Sequence, residues 1–300
     1  MKNATTLLVS SMFLASLVGV ATASNDGTLD GAYGAAKSVQ TTQTQFGDSN
    51  IGLIQWANGS ELDNAYAYIS GGVLHLFLGG NLESNYNKLE LFFDTGAGGQ
   101  NKLRGDNPNV DFDGLNRMGD DGSGNGLTFD VGFAANYYIT ATGGDIGGGT
   151  YGMFANYAEL LTSGGGAGYY LGTNGAATPG PMTGGTNPNN IEITLNNSNA
   201  GGVGGGCDPA SGAGVTTGIE LRIPLTALGG STCMNIVAFI NGGGHDYLAN
   251  QVLGGVASCN LGEPRGVNFA THAGAQYFTV CDGSTPARSS SWGQIKSSYR

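Results

Sequence analysis

The densest run of chemistry-bearing side chains is Asp111 to Asp130, DFDGLNRMGDDGSGNGLTFD. Asp111, Asp113, Asp120, Asp121, Asn125 and Asp130 crowd a short, glycine-punctuated stretch. Calcium takes six to eight oxygen ligands, and closely spaced carboxylates on a turning backbone can supply them. Mutual repulsion of the carboxylates adds to their appetite for a cation. Asp121-Gly122-Ser123-Gly124-Asn125-Gly126 imitates the first half of a calcium loop, but the twelfth position is Gly132 rather than Glu, so an EF-hand is excluded. The expectation is a structural calcium ion on these six residues, set against a solvated acidic turn.

Other leads are thinner. Phe93-Asp94-Thr95-Gly96 has the wording of an aspartic protease, a chemistry that needs two carboxylates sharing a proton. No second D-T-G or D-S-G follows. Of the three histidines, His75 sits inside an apolar run and reads as packed. His245-Asp246, in the glycine turn GGGHDY, is a candidate ligand or general base. There is no G-x-S-x-G nucleophile turn. The chain is therefore expected not to be an enzyme.

The elements that must position these residues are strands. Ser38 to Gln45, Gly72 to Leu78, Lys88 to Asp94, Asn136 to Thr142, Ile191 to Leu195, Gly218 to Ile223, Met234 to Ile240 and Gln276 to Val280 carry apolar, aromatic or β-branched runs of strand length. Clusters of Gly, Asn, Asp and Pro separate them, which is turn chemistry. In Lys88–Asp94, Leu89 and Leu91 face one way and Glu90 and Phe92 the other. Pro224 ends the run before it because it has no N–H to give. No segment holds a helical period beyond about two turns. The fold class predicted is all-β: an antiparallel β-sandwich with long glycine-rich loop insertions at Thr162 to Asn190 and Asn196 to Val215. A single domain is expected over residues 24–283, followed by a polar tail, 284–300.

The ends and the composition bound the compartment. Lys2, the apolar run Leu7 to Val20 and Ala21-Thr22-Ala23 read as a signal peptide over residues 1–23, with Ser24 as the mature N-terminus. The apolar run is shorter than a membrane-spanning helix needs. Of 300 residues, 56 are Gly, only 11 are Lys or Arg, and the net charge is −11. A surface this poor in cations excludes binding to nucleic-acid backbones. Cys207, Cys233, Cys259 and Cys281 are an even set in an exported chain and read as two disulfides. Three pairings are open; the favoured one joins Cys207 to Cys233 and Cys259 to Cys281, each closing a glycine-rich loop onto a strand.

Three segments carry a family resemblance. Asp26 to Tyr33 (DGTLDGAY), Ala65 to Asp94 (from AYAYISGGVLHLFLGGNLE into NKLELFFD) and Gly218 to Gly229 (GIELRIPLTALG) follow in that order. This succession resembles the carbohydrate-binding module family 9-like domains, a DOMON-related β-sandwich, over roughly residues 26–240. The wording of GLNRMGDDGSGNGLTFD and of Gly274 to Phe278 also resembles exported proteins of environmental bacteria, some with a C-terminal sorting anchor of the PEP-CTERM type. Ser289 to Arg300 has no such hydrophobic tail. The resemblance implies a sugar ligand, which family members often hold between two tryptophans. Here Trp56, in an expected strand Leu53 to Ala57, is the weak candidate for ligand binding, with core packing as its other reading; Trp292 lies in the tail.

These readings converge on a secreted or cell-surface, non-catalytic module whose partner is an extracellular carbohydrate. The competing expectation is self-association, as a subunit of a filament, matrix or surface layer, motivated by the glycine content, low charge and disulfides.

Overall fold

Alternation along Lys88–Asp94 gives one strand two faces, and the computed structural model buries both. Leu89, Leu91 and Phe93 enter one apolar cluster; Phe92 enters a second on the opposite side. The structure describes residues 22–96 and 98–283. Most of the expected leader, the tail 284–300 and Trp292 lie outside the described residues.

The strands in chain order are β1 (Ser38–Val39), β2 (Glu61–Ser70), β3 (Val73–Asn81), β4 (Asn85–Asp94), β5 (Tyr137–Asp145), β6 (Tyr151–Glu159), β7 (Gly168–Asn174), β8 (Thr183–Gly184), β9 (Glu192–Leu195), β10 (Gly218–Pro224), β11 (Cys233–Asn241), β12 (Leu248–Val252) and β13 (Phe278–Cys281). They form an all-β antiparallel sandwich. One sheet runs β1-β2-β3-β10-β9. The other runs β12-β11-β4-β5-β6-β7-β8, and β13 follows β12 along the same flank of β11. Only single turns of helix occur among the described residues, such as Gly114–Arg117.

The main core lies between the sheets. Leu74, Leu76 and Leu78 of β3 and Ile219, Leu221 and Ile223 of β10 meet Leu89, Leu91, Ile139 and Ile236 from the larger sheet, all fully buried. A third layer covers the outer face of the larger sheet. It is built from segments 98–136 and 253–277, which carry no strand yet bury Leu103, Leu115, Phe129, Phe133 and Phe269 against Phe92, Tyr138 and Phe239. A sheet covered on both faces needs strands apolar at nearly every position; β11 meets that demand, and β4 meets it from Leu89 to Phe93 apart from Glu90.

Several expectations need correction. The disulfides are Cys207–Cys259 and Cys233–Cys281, not the pairing favoured from sequence. Ladder register decides the second: Cys233 opens β11 directly opposite Cys281, which ends β13. Ser38 to Gln45 is not one strand. After Val39, buried Gln40, Thr42 and Thr44 spend their side chains on the carbonyls of Val252, Val256 and Ser60, so the segment stitches loops instead of joining a ladder. Leu53 to Ala57 forms no strand. Trp56 is half-buried against the core, its ring edge-on to Tyr151 at 5.7 Å. The stretch Thr162 to Asn190 is not a plain loop, because β7 and β8 run through it.

Candidate functional site

Beyond the third layer, the outer face of the larger sheet stays open at one end, and register dictates what lines it. Lys88 of β4 lies opposite Thr142 of β5, which lies opposite Phe154 of β6. One row along, Glu90, Thr140, Asn156 and Tyr170 follow one another across β4, β5, β6 and β7. Lys88, Thr142, Phe154, Asn156 and Tyr170 of these rows floor a groove of about 530 Å³. Tyr86 walls one side from a bulge at the start of β4, where φ is +71°. Its ring lies 6.5 Å from that of Phe154 and covers Gly144, where a Cβ would come within 2.6 Å of the ring. Tyr86 and Tyr170 each keep 42 % of their surface in water.

The other wall is the turn Asp111-Phe112-Asp113, which also separates this groove from a second hollow of about 460 Å³. All three residues are left-handed, at φ +47°, +54° and +68°. Consecutive non-glycine residues in that region are strained and persist only where surroundings over-determine them. The result is a phenyl ring, Phe112, held fully exposed between the two hollows.

The restraint is a buried charge network. Asp111 Oδ2 lies 2.8 Å from Lys88 Nζ and 2.9 Å from His245 Nε2. His245 Nδ1 lies 2.7 Å from Glu90 Oε1, and the Tyr138 hydroxyl donates to Glu90 Oε2 at 2.7 Å. Burial alone would strip the proton from His245. Attraction to Glu90, with hydrogen bonds to Asp111 and Glu90, outweighs it and raises the imidazole to about 9. The ring is therefore an imidazolium at neutral pH, donating from both nitrogens. Burial works against the Asp111 carboxylate too, but His245 and Lys88 hold it below the usual range. Two cations thus face two carboxylates with almost no solvent. Gly114 makes room: a Cβ there would sit 2.1 Å from the His245 ring.

An imidazolium with both nitrogens engaged has no lone pair to act as a base. Asp94 of the D-T-G sequence closes a turn, accepting from the N–H groups of Gly96 and Ala134. The groove offers aromatic faces beside amide, hydroxyl and ammonium groups, the usual make-up of a small-ligand site.

Of the six residues expected to hold calcium, Asp111, Asp113 and Asp121 line the second hollow, and most have partners within the protein. Asp111 is taken by Lys88 and His245, and Asp121 by Arg265 at 3.0 Å. Asp113 accepts from Asn116, and Asp120 from the N–H groups of Gly122 and Gly124. Asp130 accepts from Gln276 N–H at 2.6 Å, and Asn125 is exposed. Among the described residues no three His, Cys, Asp or Glu side chains form a metal-holding group.

Sequence reasoning missed two buried acids, Glu61 and Asp63. Burial pushes the Glu61 carboxyl up to about 9, with the charges of Asp63 and Asp48 adding to it, and burial pushes Asp63 up to about 7. The available signal was an acid–x–acid pair at the start of an otherwise apolar strand. The groove aromatics left no local signal, because register alone assembles them. In comparisons with known proteins, no family model, no curated protein and no solved structure matches the chain.

Proposed function

We propose that this chain is an exported, non-catalytic β-sandwich that binds carbohydrate in the groove between Tyr86, Phe154, Tyr170 and Phe112. One observation carries the reading: a strained turn, clamped by buried charges, holds an apolar ring fully in water at the rim of an aromatic-lined hollow. Pyranose rings present C–H faces to aromatic rings and hydroxyls to polar groups, and Asn156, Asn109 and Lys88 supply the latter. The resemblance to carbohydrate-binding module family 9-like domains agrees with a sugar ligand, but the groove's aromatics are tyrosines and phenylalanines where family members often use two tryptophans. The disulfides and the N-terminal leader support an extracellular setting, and among the described residues no helix is long and apolar enough to cross a membrane.

Self-association through sheet edges finds less support. The edge strands β1, β8, β9 and β12 are two to five residues long. Short edges give another chain little to pair with. Affinity electrophoresis across a panel of neutral and acidic polysaccharides tests the proposal. Retardation by at least one glycan, reduced in Tyr170→Ala, is expected; a chain that runs freely in every gel ends it.

A further inference from the structure

Glu61 and Asp63 lie at the start of β2, on the side away from the sandwich core, beneath the glycine-rich loop that follows β9. Both residues are fully buried. None of the described ion pairs includes either carboxylate. Opposite Glu61 in the ladder stands Asn81 of β3, whose Nδ2 donates to the Asn197 carbonyl at 2.8 Å, which turns Oδ1 the other way. The loop contributes Asn199 and the Gly201 carbonyl.

The Asn199 amide nitrogen occupies the middle of this set. It meets Glu61 Oε1 at 2.6 Å, Asn81 Oδ1 at 3.2 Å, Asp63 Oδ2 at 3.3 Å and the Gly201 carbonyl. A primary amide has two hydrogens to give, and four acceptors surround it. Glu61 Oε2 is buried and takes no hydrogen bond from the loop or the ladder; a proton shared between Glu61 and Asp63 is what links the two carboxyls. The pocket therefore holds more oxygen than its donors can satisfy, and burying unpaired carboxylates is costly.

We infer that Glu61, Asp63, Asn81, Asn199 and the Gly201 carbonyl form a divalent-cation site, with calcium as its ion. The donors are all oxygen, two of them carboxylates and the rest amide or carbonyl, which is the set that hard cations take. A cation in the middle of the set would displace the Asn199 amide nitrogen; a half-turn of that amide would present Oδ1 to the ion, and both oxygens of Glu61 would bring the count to six. The loop is already shaped for this: Asp63 Oδ1 accepts from Val203 N–H at 2.9 Å, and a Cβ on Gly202 would lie 2.3 Å from that same oxygen. An ion here would pin the glycine-rich segment to β2. The site is separate from the aromatic groove and does not depend on the carbohydrate reading.

The test begins with the unaltered chain. After chelator treatment and dialysis, calcium chloride titrated in a calorimeter should bind at one ion per chain, and thermal unfolding in excess calcium should rise by roughly 5 °C. Glu61→Gln and Asp63→Asn should each abolish the rise, while Asp121→Asn should keep it. If those variants do not fold, crystals of the unaltered chain soaked in a lanthanide should show an anomalous peak between Glu61 and Asp63. No heat and no thermal shift with calcium overturns the inference, as does a shift that survives both substitutions or a lanthanide bound only elsewhere.

Discussion

His245 Nε2 lies 2.9 Å from Asp111 Oδ2, so a buried imidazolium in the turn between β11 and β12 grips the left-handed turn that lifts Phe112 into water. The ring reaches Glu90 with its other nitrogen and so ties the third layer to the sheet beneath.

That clamp makes stability depend on pH in a defined direction. The folded-state pKa of His245, about 9, exceeds its ordinary 6.5. Its contribution is complete below pH 6.5, declines from there, and is lost as pH rises through 9. Urea unfolding at pH 6 and pH 9.5 should show the parent chain losing roughly 3 kcal/mol more than His245→Gln across that interval. Equal losses in both chains would refute the clamp.

Phe112→Ala should separate binding from folding. The ring is fully exposed, so its removal should leave stability within about 0.5 kcal/mol. Retardation by a bound glycan should fall several-fold. Unchanged retardation would remove Phe112 from the ligand's path.

Gly114→Ala should cost roughly 1–3 kcal/mol by overpacking against the His245 ring. The same change at Gly122, where an added Cβ meets nothing within 4 Å but φ is +98°, tests backbone strain instead. Denaturant melts of the two variants distinguish these causes, because only Gly114→Ala should also flatten the His245 pH dependence.

The covalent links make a sharp prediction. Non-reducing peptide mapping should recover Cys207 with Cys259 and Cys233 with Cys281. The bridged residues lie 52 and 48 positions apart, and by loop-closure entropy each bridge contributes about 4 kcal/mol. Paired Ser substitutions of either bridge should lower the unfolding midpoint accordingly.

The expected strands around β3, β4, β10 and β11 were readable because their residues are apolar on alternate or successive positions, a local property. β6 (YGMFANYAE) and β7 (GYYLGTN) were not, because glycine and alanine dilute the alternation. The groove was hidden for a stronger reason. Lys88, Thr142 and Phe154 meet through two ladders, and nothing within any one segment states the register between strands. Cys233 and Cys281 failed for the same cause. Asp111 was legible in the sequence only as one of a run of acids; its partners, Lys88 and His245, come from distant segments, so the ion pairs it makes were not.

One consequence concerns β2. Leu62 and Ala65 both face the core although three positions apart, since the ladder shifts between Leu62 and Asn64 and leaves Asp63 as a supernumerary residue. Excising Asp63 would restore plain alternation: Leu62, Ala65, Ala67 and Ile69 would keep pointing inward without it. The extra residue serves two neighbours at once: its carbonyl accepts from Gln40 N–H at 2.7 Å just past β1, and its carboxylate reaches the loop at Val203 N–H.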